Sequence, residues 1–406
     1  MKTLYVLNYQ REIPPFVQIE ISYAKKQFDH VVYITRKLTT DNSTTISDNN
    51  VKVIQLGFVR RLNALLTLIL LLFVKPIRSQ LFKACKDHVF SLEYIKQFLI
   101  ELYISEQLYK ASVKHARHSA ESKNYVIASW FNGIAIAAAR LQDRNDFKAY
   151  SFAHAFEITP HRNPYLGYMM EDYKHRCLTK IIFIAKVMYK QYAEYVYPII
   201  GIKKNVDVSY LGSRKLFQNK QIKDNVFNIC SCSTVTAIKR LDLIIDALSF
   251  TSDIPISWTH IGNGPEFDRI KHRVEKLLER NKNVEIHLLG KCTNEEVQEF
   301  YSRHYVDMFI NVSESEGLPI SIMEAMSYSI PCVATDVGGT KEIVNNNNGF
   351  LIGKDTLPAE LYKVIFNYIC KPDYIKEQYR NNAYLTWTNS FDSDNNFISL
   401  FSAMIN

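Results

Sequence analysis

The sequence lacks the features that mark several special classes of protein. It contains no internal repeat, and its one low-complexity tract is the asparagine run at residues 345–348. Hydrophobic residues make up 47% and charged residues 22% of the chain, which is ordinary for a globular protein and excludes a disordered or fibrous one. Because 406 residues exceed one ordinary domain, we expect two domains, each with its own core.

We expect neither an export signal nor a membrane-spanning segment. The N-terminus, MKTLYVLNYQ, has neither the apolar core nor the cleavage site of a secretory signal. The eleven apolar residues at 64–74 would reach about 16 Å as a helix, roughly half of a bilayer's hydrocarbon core. With basic residues on both sides, this run is either a buried helix of the N-terminal domain or a helix lying in a membrane interface. The prediction is a cytoplasmic protein, located at the inner face of the cell membrane under the second interpretation.

The sequence offers little that would bind a metal or a nucleic acid. Its seven cysteines lie mostly in apolar strand-like runs and are expected to be reduced core residues. Cys230 and Cys232 have no second Cys/His pair nearby, and Asp392 and Asp394 are interpreted as a surface turn or helix cap. The net charge of +8 suits an anionic small molecule, a membrane or a nucleic acid, but no compact aromatic and basic RNA-binding pattern stands out. We therefore predict no bound metal and no nucleic-acid partner.

Short apolar runs alternate with helical patterns along most of the chain. The first series covers residues 1–205 and is interrupted by a helical insert at about 60–119. A polar stretch follows, and a second series of strand and helix patterns covers residues 206–385. This alternation predicts an α/β protein with two doubly wound domains in tandem. Ligands of such sheets bind beyond the carboxyl ends of the strands, so the loops there are the place to look for chemistry.

One strand end in the second series carries a pattern typical of an anion site. The strand DMFINVS leads through the loop SESEG into a helix that is expected to start near Pro319. The backbone N–H groups of Gly317, Leu318 and Ile320 would be free there, with the positive end of the helix dipole behind them. This arrangement suits a diphosphate.

Two glutamates, Glu316 and Glu324, bracket the same element. Carboxylates bind phosphate poorly, but they accept hydrogen bonds well from sugar hydroxyls, so a ligand with both a diphosphate and sugar rings would explain the mixture. The spacing alone is common by chance, and two solvated glutamates near a helix start are the alternative. The strand, loop and helix around them, followed by a Gly338-Gly339 turn, favour the ligand site.

The whole stretch at residues 313–344 resembles the signature of retaining family-four glycosyltransferases of the GT-B fold. That signature has two glutamates with seven residues between them, a proline-led strand and a D-x-G-G-x-x-E loop, here residues 336–342. The segments HIGNGPE, with Gly262 and Gly264, and SCSTVTAIKRLDLIIDAL are also similar to the family, so the resemblance covers about half the chain.

The resemblance implies two Rossmann-like domains that face each other across a cleft. Residues 1–205 would bind the acceptor, residues 206–385 would bind the nucleotide-sugar donor, and a helix at 386–406 would pack back on the N-terminal domain.

The resemblance also implies roles for individual residues. Glu316 would hold hydroxyls of the transferred sugar, Glu324 the ribose, and Lys239 the departing diphosphate. The family has an arginine five residues before this lysine, where this chain has Thr234. Either Arg240 takes its place or a single cation suffices.

The N-terminal half is less similar to the family. His154, in YSFAHAFEIT, matches a histidine that faces the donor sugar, although a structural hydrogen-bonding role is the alternative. The family's glycine-rich acceptor loop is not evident in NYQREIPPF, so the identity of the acceptor cannot be transferred.

These features together predict an enzyme that transfers a sugar, with retention of configuration, from a UDP- or GDP-type donor to a glycan or lipid-linked acceptor. The resemblance implies no metal and no cofactor, since the helix dipole and the lysine take the place of a metal cation. Assembly of a cell-surface polysaccharide or glycoconjugate is the expected setting. A non-catalytic partner or glycan-binding subunit, and a phosphorylase or sugar-phosphate synthase of the same architecture, remain alternatives.

Overall fold

The computed structural model describes residues 1–38, 48–57, 71, 74–116, 122–144, 147–160, 162–202 and 205–406. These residues form two compact units. The N-terminal unit consists of residues Met1–Ser209 and Phe397–Asn406, and the C-terminal unit consists of residues Tyr210–Asn396. The sequence predicts the boundary after residue 205.

The N-terminal unit is built around one parallel sheet. Its described strands are β1 (Lys2–Leu7), β2 (His30–Arg36), β3 (Val51–Leu56), β4 (Lys123–Ala128), β5 (Phe147–Ala153), β6 (Lys180–Phe183) and β7 (Val206–Val208). They lie in the order β3-β2-β1-β4-β5-β6-β7. The described helices are α1 (Pro15–Gln27), α2 (Lys75–Lys86), α3 (Leu92–His115), α4 (Gly133–Asp143), α5 (Ala155–Ile158), α6 (Glu171–Cys177) and α7 (Lys186–Ile200).

Packing in this unit follows from its apolar strands and a close helix pair. Five of the six residues of β1 are buried, as expected for a strand covered on both faces. Helices α3 and α4 approach closely at Gly133, where a Cβ atom would lie 2.4 Å from the carbonyl oxygen of Glu101. Near the C-terminus, the ring of Phe397 stacks on Tyr23 at 5.6 Å, which places the end of the chain against α1.

The C-terminal unit contains a second parallel sheet. Its described strands are β8 (Phe227–Cys232), β9 (Ile256–Ile261), β10 (Val284–Gly290), β11 (Met308–Asn311), β12 (Cys332–Thr335) and β13 (Gly349–Ile352), in the order β10-β9-β8-β11-β12-β13. A 3-10 turn (Ala237–Lys239) precedes the helices α8 (Leu241–Leu248), α9 (Phe267–Arg280), α10 (Asn294–Arg303), α11 (Ile320–Ser327), α12 (Thr340–Ile343), α13 (Pro358–Ile369) and α14 (Asp373–Thr386). A π-helical turn (Trp387–Phe391) then leads into α15 (Ser393–Ile405).

This second sheet has an apolar core on each face. Successive residues of a strand point to opposite faces, so Ile229 of β8 joins one core with Trp258, while Cys230 joins the other with Met326. The indole N–H of Trp258 donates to Ser231 Oγ at 2.9 Å, which satisfies a buried donor. Both faces of the sheet are therefore covered, and its free edge for ligands is the carboxyl end of the strands.

The predicted α/β architecture with two parallel sheets is confirmed. Most of the apolar run at 64–74 lies outside the described residues; of its two described members, Leu71 is buried and Val74 is exposed. Within the described part of the chain, every helix is too short or too polar to cross a bilayer.

Candidate functional site

The loops that follow β8, β9, β11 and β12 contact one another at the carboxyl edge of the second sheet. Backbone hydrogen bonds join Val235 N to Asn263 O at 3.1 Å, and Glu314 N to Ile238 O at 2.9 Å. A third bond joins Gly339 N to Gly317 O at 2.7 Å. The loops therefore form one connected backbone surface around the residues that the sequence singles out.

Three glycines allow these loops to approach so closely. A Cβ atom on Gly262 would lie 1.8 Å from the carbonyl oxygen of Ser233, and one on Gly338 would lie 1.9 Å from that of Glu316. A Cβ atom on Gly264 would lie 2.4 Å from the carbonyl oxygen of Val235. Gly262 and Gly264 were predicted to bind the donor; in the structure their missing side chains make room for the loop after β8.

Lys239 and Glu316 form an ion pair, although 77 positions separate them in the sequence. Lys239 Nζ lies 2.6 Å from Glu316 Oε1, and Asn311 Nδ2 donates to the same oxygen at 3.2 Å. The side chains of Lys239 and Glu316 are 24% and 12% exposed, so the pair is partly shielded from water. A carboxylate and an ammonium thus lie side by side at the carboxyl edge of the sheet.

Arg240 has a different environment from Lys239. It is in the left-handed conformation, with φ of 49°, and its guanidinium donates to protein acceptors. Nε bonds to Val312 O at 2.6 Å, Nη2 bonds to Thr335 Oγ1 at 3.2 Å, and Nη1 bonds to Lys354 O. These contacts hold three loops together, and the donor-binding role of Arg240 stays a prediction.

The loop after β11 enters α11 one residue later than predicted. Pro319 precedes the helix with φ of −73° and ψ of 104°, and the first helical residue is Ile320. Among the described residues, no acceptor is paired with the backbone N–H groups of Gly317, Leu318 and Ile320. Free donors at a helix N-terminus favour an anion.

Glu324 is buried in α11 and is held by Asn294. Nδ2 of Asn294, at the start of α10, donates to Glu324 Oε1. Burial raises the pKa of Glu324 to about 7, and the Asn294 hydrogen bond acts against this rise. A carboxyl group poised near neutrality can accept hydrogen bonds from a ligand as soon as it ionises.

Asn311, Asn294 and His260 belong to this site but were not predicted from the sequence. Asn311 is the last residue of β11, and a polar residue at the carboxyl end of a strand is the signal that could have identified it. His260 lies near the end of β9, where its Nδ1 is 2.8 Å from Ser231 Oγ. Burial lowers the pKa of His260 to about 4, so its imidazole is neutral at physiological pH.

His154 lies in the N-terminal unit, at the end of β5. Its Nε2 donates to Ser129 O at 3.1 Å, and the rings of Trp130 and Phe16 lie 4.6 and 4.9 Å from the imidazole. Burial lowers the pKa of His154 to about 4. These contacts agree with the structural hydrogen-bonding interpretation, and the donor-facing role stays a prediction.

The remaining polar and sulfur groups have structural surroundings. Asp392 Oδ1 accepts from Asp394 N at 3.0 Å at the start of α15, the geometry of a helix cap. Within the described ranges, no cluster of three or more His, Cys, Asp or Glu residues could hold a metal. The cysteines are free; contrary to the expectation of core positions, Cys85 and Cys370 are exposed at helix ends.

Two Rossmann-like units of parallel strands define the GT-B fold, and solved structures agree with this assignment. The chain is similar to HepE of Anabaena, solved with UDP and glucose, with a TM-score of 0.69 over 99% of both chains and 15% sequence identity. It is also similar to a TarM mutant of S. aureus, solved with UDP and other ligands, with a TM-score of 0.66 over 100% of both chains and 11% identity. At these identities the likeness establishes the fold alone.

Residues 212–385 match the family model described as glycosyl transferases group 1. The O-antigen biosynthesis glycosyltransferase WbnH of Escherichia coli is 32% identical over 187 residues, which are 45% of this chain and 48% of that protein. A poly(ribitol-phosphate) alpha-N-acetylglucosaminyltransferase of Staphylococcus aureus is 27% identical over 197 residues, 44% of this chain and 37% of that protein. The chain thus spans about half the length, or less, of the curated relatives it matches.

Proposed function

We propose that the protein is a retaining glycosyltransferase that moves a sugar from a nucleotide-diphosphate donor to an acceptor hydroxyl. The observation that supports this most directly is the Lys239–Glu316 pair, with 2.6 Å between Nζ and Oε1, beside the free N–H groups of Gly317, Leu318 and Ile320. The N–H groups suit the diphosphate of such a donor, and Glu316 suits the hydroxyls of the transferred sugar. Lys239 suits the negative charge that develops on the diphosphate as the sugar departs.

In this proposal the donor diphosphate binds at the start of α11. The N–H groups there donate to its oxygens, and Lys239 leaves Glu316 to neutralise the charge that grows as the sugar departs. Glu316, which Asn311 keeps in position, then accepts hydroxyls of the sugar. Glu324 accepts the ribose hydroxyls. A donor oxygen helps to take the acceptor proton, so no carboxylate acts as the nucleophile and the configuration is retained.

The acceptor in this proposal is a glycan or a lipid-linked sugar. Support comes from the names of two relatives, one assigned to O-antigen biosynthesis and one to the glycosylation of poly(ribitol-phosphate). Both names concern cell-surface polymers. The reaction would then take place in the cytoplasm, at the inner face of the membrane.

The exposed side of α2 supports membrane contact next to residues 64–74. Phe82 is 74% exposed, Arg78 and Lys86 are exposed on the same helix, and the sequence of α2 contains no acidic residue. Basic and aromatic groups on one helix suit an anionic lipid surface. The test is sedimentation with vesicles of anionic lipid. Replacing the apolar residues of 64–74 with serine, or Phe82→Ser, should lower the bound fraction, whereas Tyr195→Ser should not; unchanged sedimentation of both variants contradicts membrane contact.

The proposed activity is tested with a panel of UDP and GDP sugars, by measuring hydrolysis or transfer with the purified chain. Glu316→Gln should lower turnover of the preferred donor by about 100-fold or more. Glu314→Gln is the matched control, because Glu314 lies in the same loop with an exposed side chain. Full turnover in Glu316→Gln would contradict the site. A wild-type protein that turns over no donor would favour the non-catalytic partner instead.

A further inference from the structure

A second cavity lies within the N-terminal unit, at the carboxyl edge of its sheet. It has a volume of about 500 Å³, in the range of small-molecule sites. Its walls come from the loop after β1, from the ends of β2 and β3, and from α3. The polar and aromatic residues that line it are Tyr9, Arg11, Arg36, Lys37 and Tyr103. Strand ends of a parallel sheet are where ligands of this architecture bind.

The lining of this cavity is strongly basic. Three of its eight residues are Arg or Lys, the other five are Tyr, Leu or Gly, and the eight include no carboxylate. Among the described residues, no carboxylate forms an ion pair with Arg36 or Lys37. Burial raises the pKa of Tyr9, so its hydroxyl stays neutral and brings no compensating negative charge. Arg36 and Lys37 therefore contribute positive charge that an anionic ligand would balance.

Arg36 contacts an aromatic residue of the cavity wall. Its guanidinium carbon lies 5.1 Å from the centre of the Tyr9 ring, a cation–π contact. A guanidinium can donate two parallel hydrogen bonds to phosphate oxygens. Lys37 follows Arg36 in the chain and adds a second cation at the same strand end.

We infer that this cavity binds a phosphate or diphosphate group of the acceptor, through Arg36 and Lys37. The inference rests on the proposed function, because it takes the donor to bind in the C-terminal unit and leaves the N-terminal unit for the acceptor. It narrows the acceptor to an anionic molecule. A lipid-linked diphosphate and a phosphate-bearing glycan share this chemistry.

The test is calorimetric titration of the full chain with geranyl diphosphate, inorganic pyrophosphate and neutral geraniol. The double variant Arg36→Gln/Lys37→Gln should weaken geranyl diphosphate binding by about tenfold or more, since two charge-assisted contacts are lost. Lys271→Gln, an exposed lysine in the other unit, should leave this binding unchanged. Lys123→Gln, which removes one cation, is the control in the same unit, because Lys123 is exposed at the opposite, amino end of the sheet.

The three probes separate the sources of the anion. Pyrophosphate binding that depends on Arg36 and Lys37 to the same extent indicates a phosphate-bearing glycan, and much tighter binding of geranyl diphosphate indicates a lipid-linked acceptor; both support the inference. Geraniol binding as tightly as geranyl diphosphate, or equal weakening by Lys123→Gln, would overturn it. The charge-conserving variant Arg36→Lys/Lys37→Arg should retain binding, which separates a lost contact from a misfolded chain.

Failure of this inference can be told apart from failure of the proposed function. Hydrolysis of the nucleotide sugar without acceptor should be unchanged in Arg36→Gln/Lys37→Gln. If the wild type hydrolyses donor while the double variant binds anions normally, only the assignment of the cavity is wrong. If anion binding depends on Arg36 and Lys37 but no donor is hydrolysed, the cavity is an anion site and the proposed activity is wrong.

Discussion

Lys239 Nζ lies 2.6 Å from Glu316 Oε1, and the two residues neutralise each other's charge. The pair connects the loop after β8 to the loop after β11. A donor that binds here has to replace this contact with its own phosphate and sugar groups. The free energy of donor binding is therefore the difference between the contacts that Lys239 and Glu316 make with the donor and the contact that they make with each other. Substitution of Lys239 and of Glu316 tests each residue separately.

Replacing Lys239 with glutamine removes the cation and leaves Glu316 without its partner. We expect kcat/KM for the preferred nucleotide sugar to fall by about 100-fold or more, because an uncompensated leaving-group charge raises the barrier. Steady-state kinetics measures the effect. Lys271→Gln, an exposed lysine on α9, is the control and should behave like wild type. A fall of less than threefold in Lys239→Gln would remove this lysine from the mechanism.

Gly338 is the position where a single methyl group should disrupt the site most directly. A Cβ atom there would lie 1.9 Å from Glu316 O, and the φ of 55° disfavours any other residue by about 1–3 kcal/mol. Gly338→Ala should lower both the melting temperature and donor turnover, because the loop that carries Glu316 has to move. Gly353→Ala is the matched control, since the atom nearest to its added methyl would be Thr356 Oγ1 at 3.7 Å. Equal melting temperatures in the two variants would contradict the close contact.

Donor binding should depend on pH through Glu324. Burial raises the pKa of this carboxyl to about 7, so its ionised fraction increases between pH 6 and pH 8. Ribose hydroxyls donate to the ionised form, and the Kd of the nucleotide sugar should therefore decrease by up to about tenfold over that interval. Titration calorimetry at several pH values tests this, with Glu324→Gln expected to show a flat profile. A sloping profile in the variant would assign the pH dependence to another group.

Glu20 predicts a pH-dependent stability in the N-terminal unit. It is fully buried in α1, and neither carboxylate oxygen has a hydrogen-bond partner among the described residues. Burial raises its pKa to about 8, above the unfolded value. The protonated form is thus favoured in the folded state, and stability is lost as the pH rises from about 4.5 through about 8, on the order of 1 kcal/mol per pH unit.

The variant Glu20→Gln should not lose stability in this way. The melting temperature of the variant minus that of wild type should therefore be larger at pH 8 than at pH 5. Calorimetric melting curves at both values measure the difference. Glu194→Gln changes an exposed carboxylate of the same unit, whose side chain is 65% exposed, and should show no such trend. A pH-independent difference for Glu20→Gln would contradict the raised pKa.

Local patterns were sufficient to predict the strands and the candidate site in outline. Continuous apolar runs such as those of β1 and β11 have few alternatives to a buried strand, and the parallel order follows from the intervening helices. The loop at Glu316 was recognisable because glycine, proline and a following helix occur in a short span. The contacts of Arg240 with Val312, Thr335 and Lys354 were not predictable, because their partners are distant in the chain.

The basic cavity was also not predictable from the sequence. Its arginines and its lysine lie at two strand ends, and neither position carries a motif that points to a ligand. Only the pairing of β1, β2 and β3 brings Tyr9, Arg36 and Lys37 to one edge.

The sequence by itself determined that the chain forms two α/β units and that residues 313–344 carry a strand, loop and helix pattern typical of an anion site, because both depend on patterns that are local along the chain. Only the tertiary structure decided which charged groups meet. It paired Lys239 with Glu316, turned Arg240 toward loop carbonyls, and buried Glu324 so that its pKa rises to about 7. Charge interactions depend on distance and on exposure to water, and both are set by the packing of segments that the sequence keeps far apart.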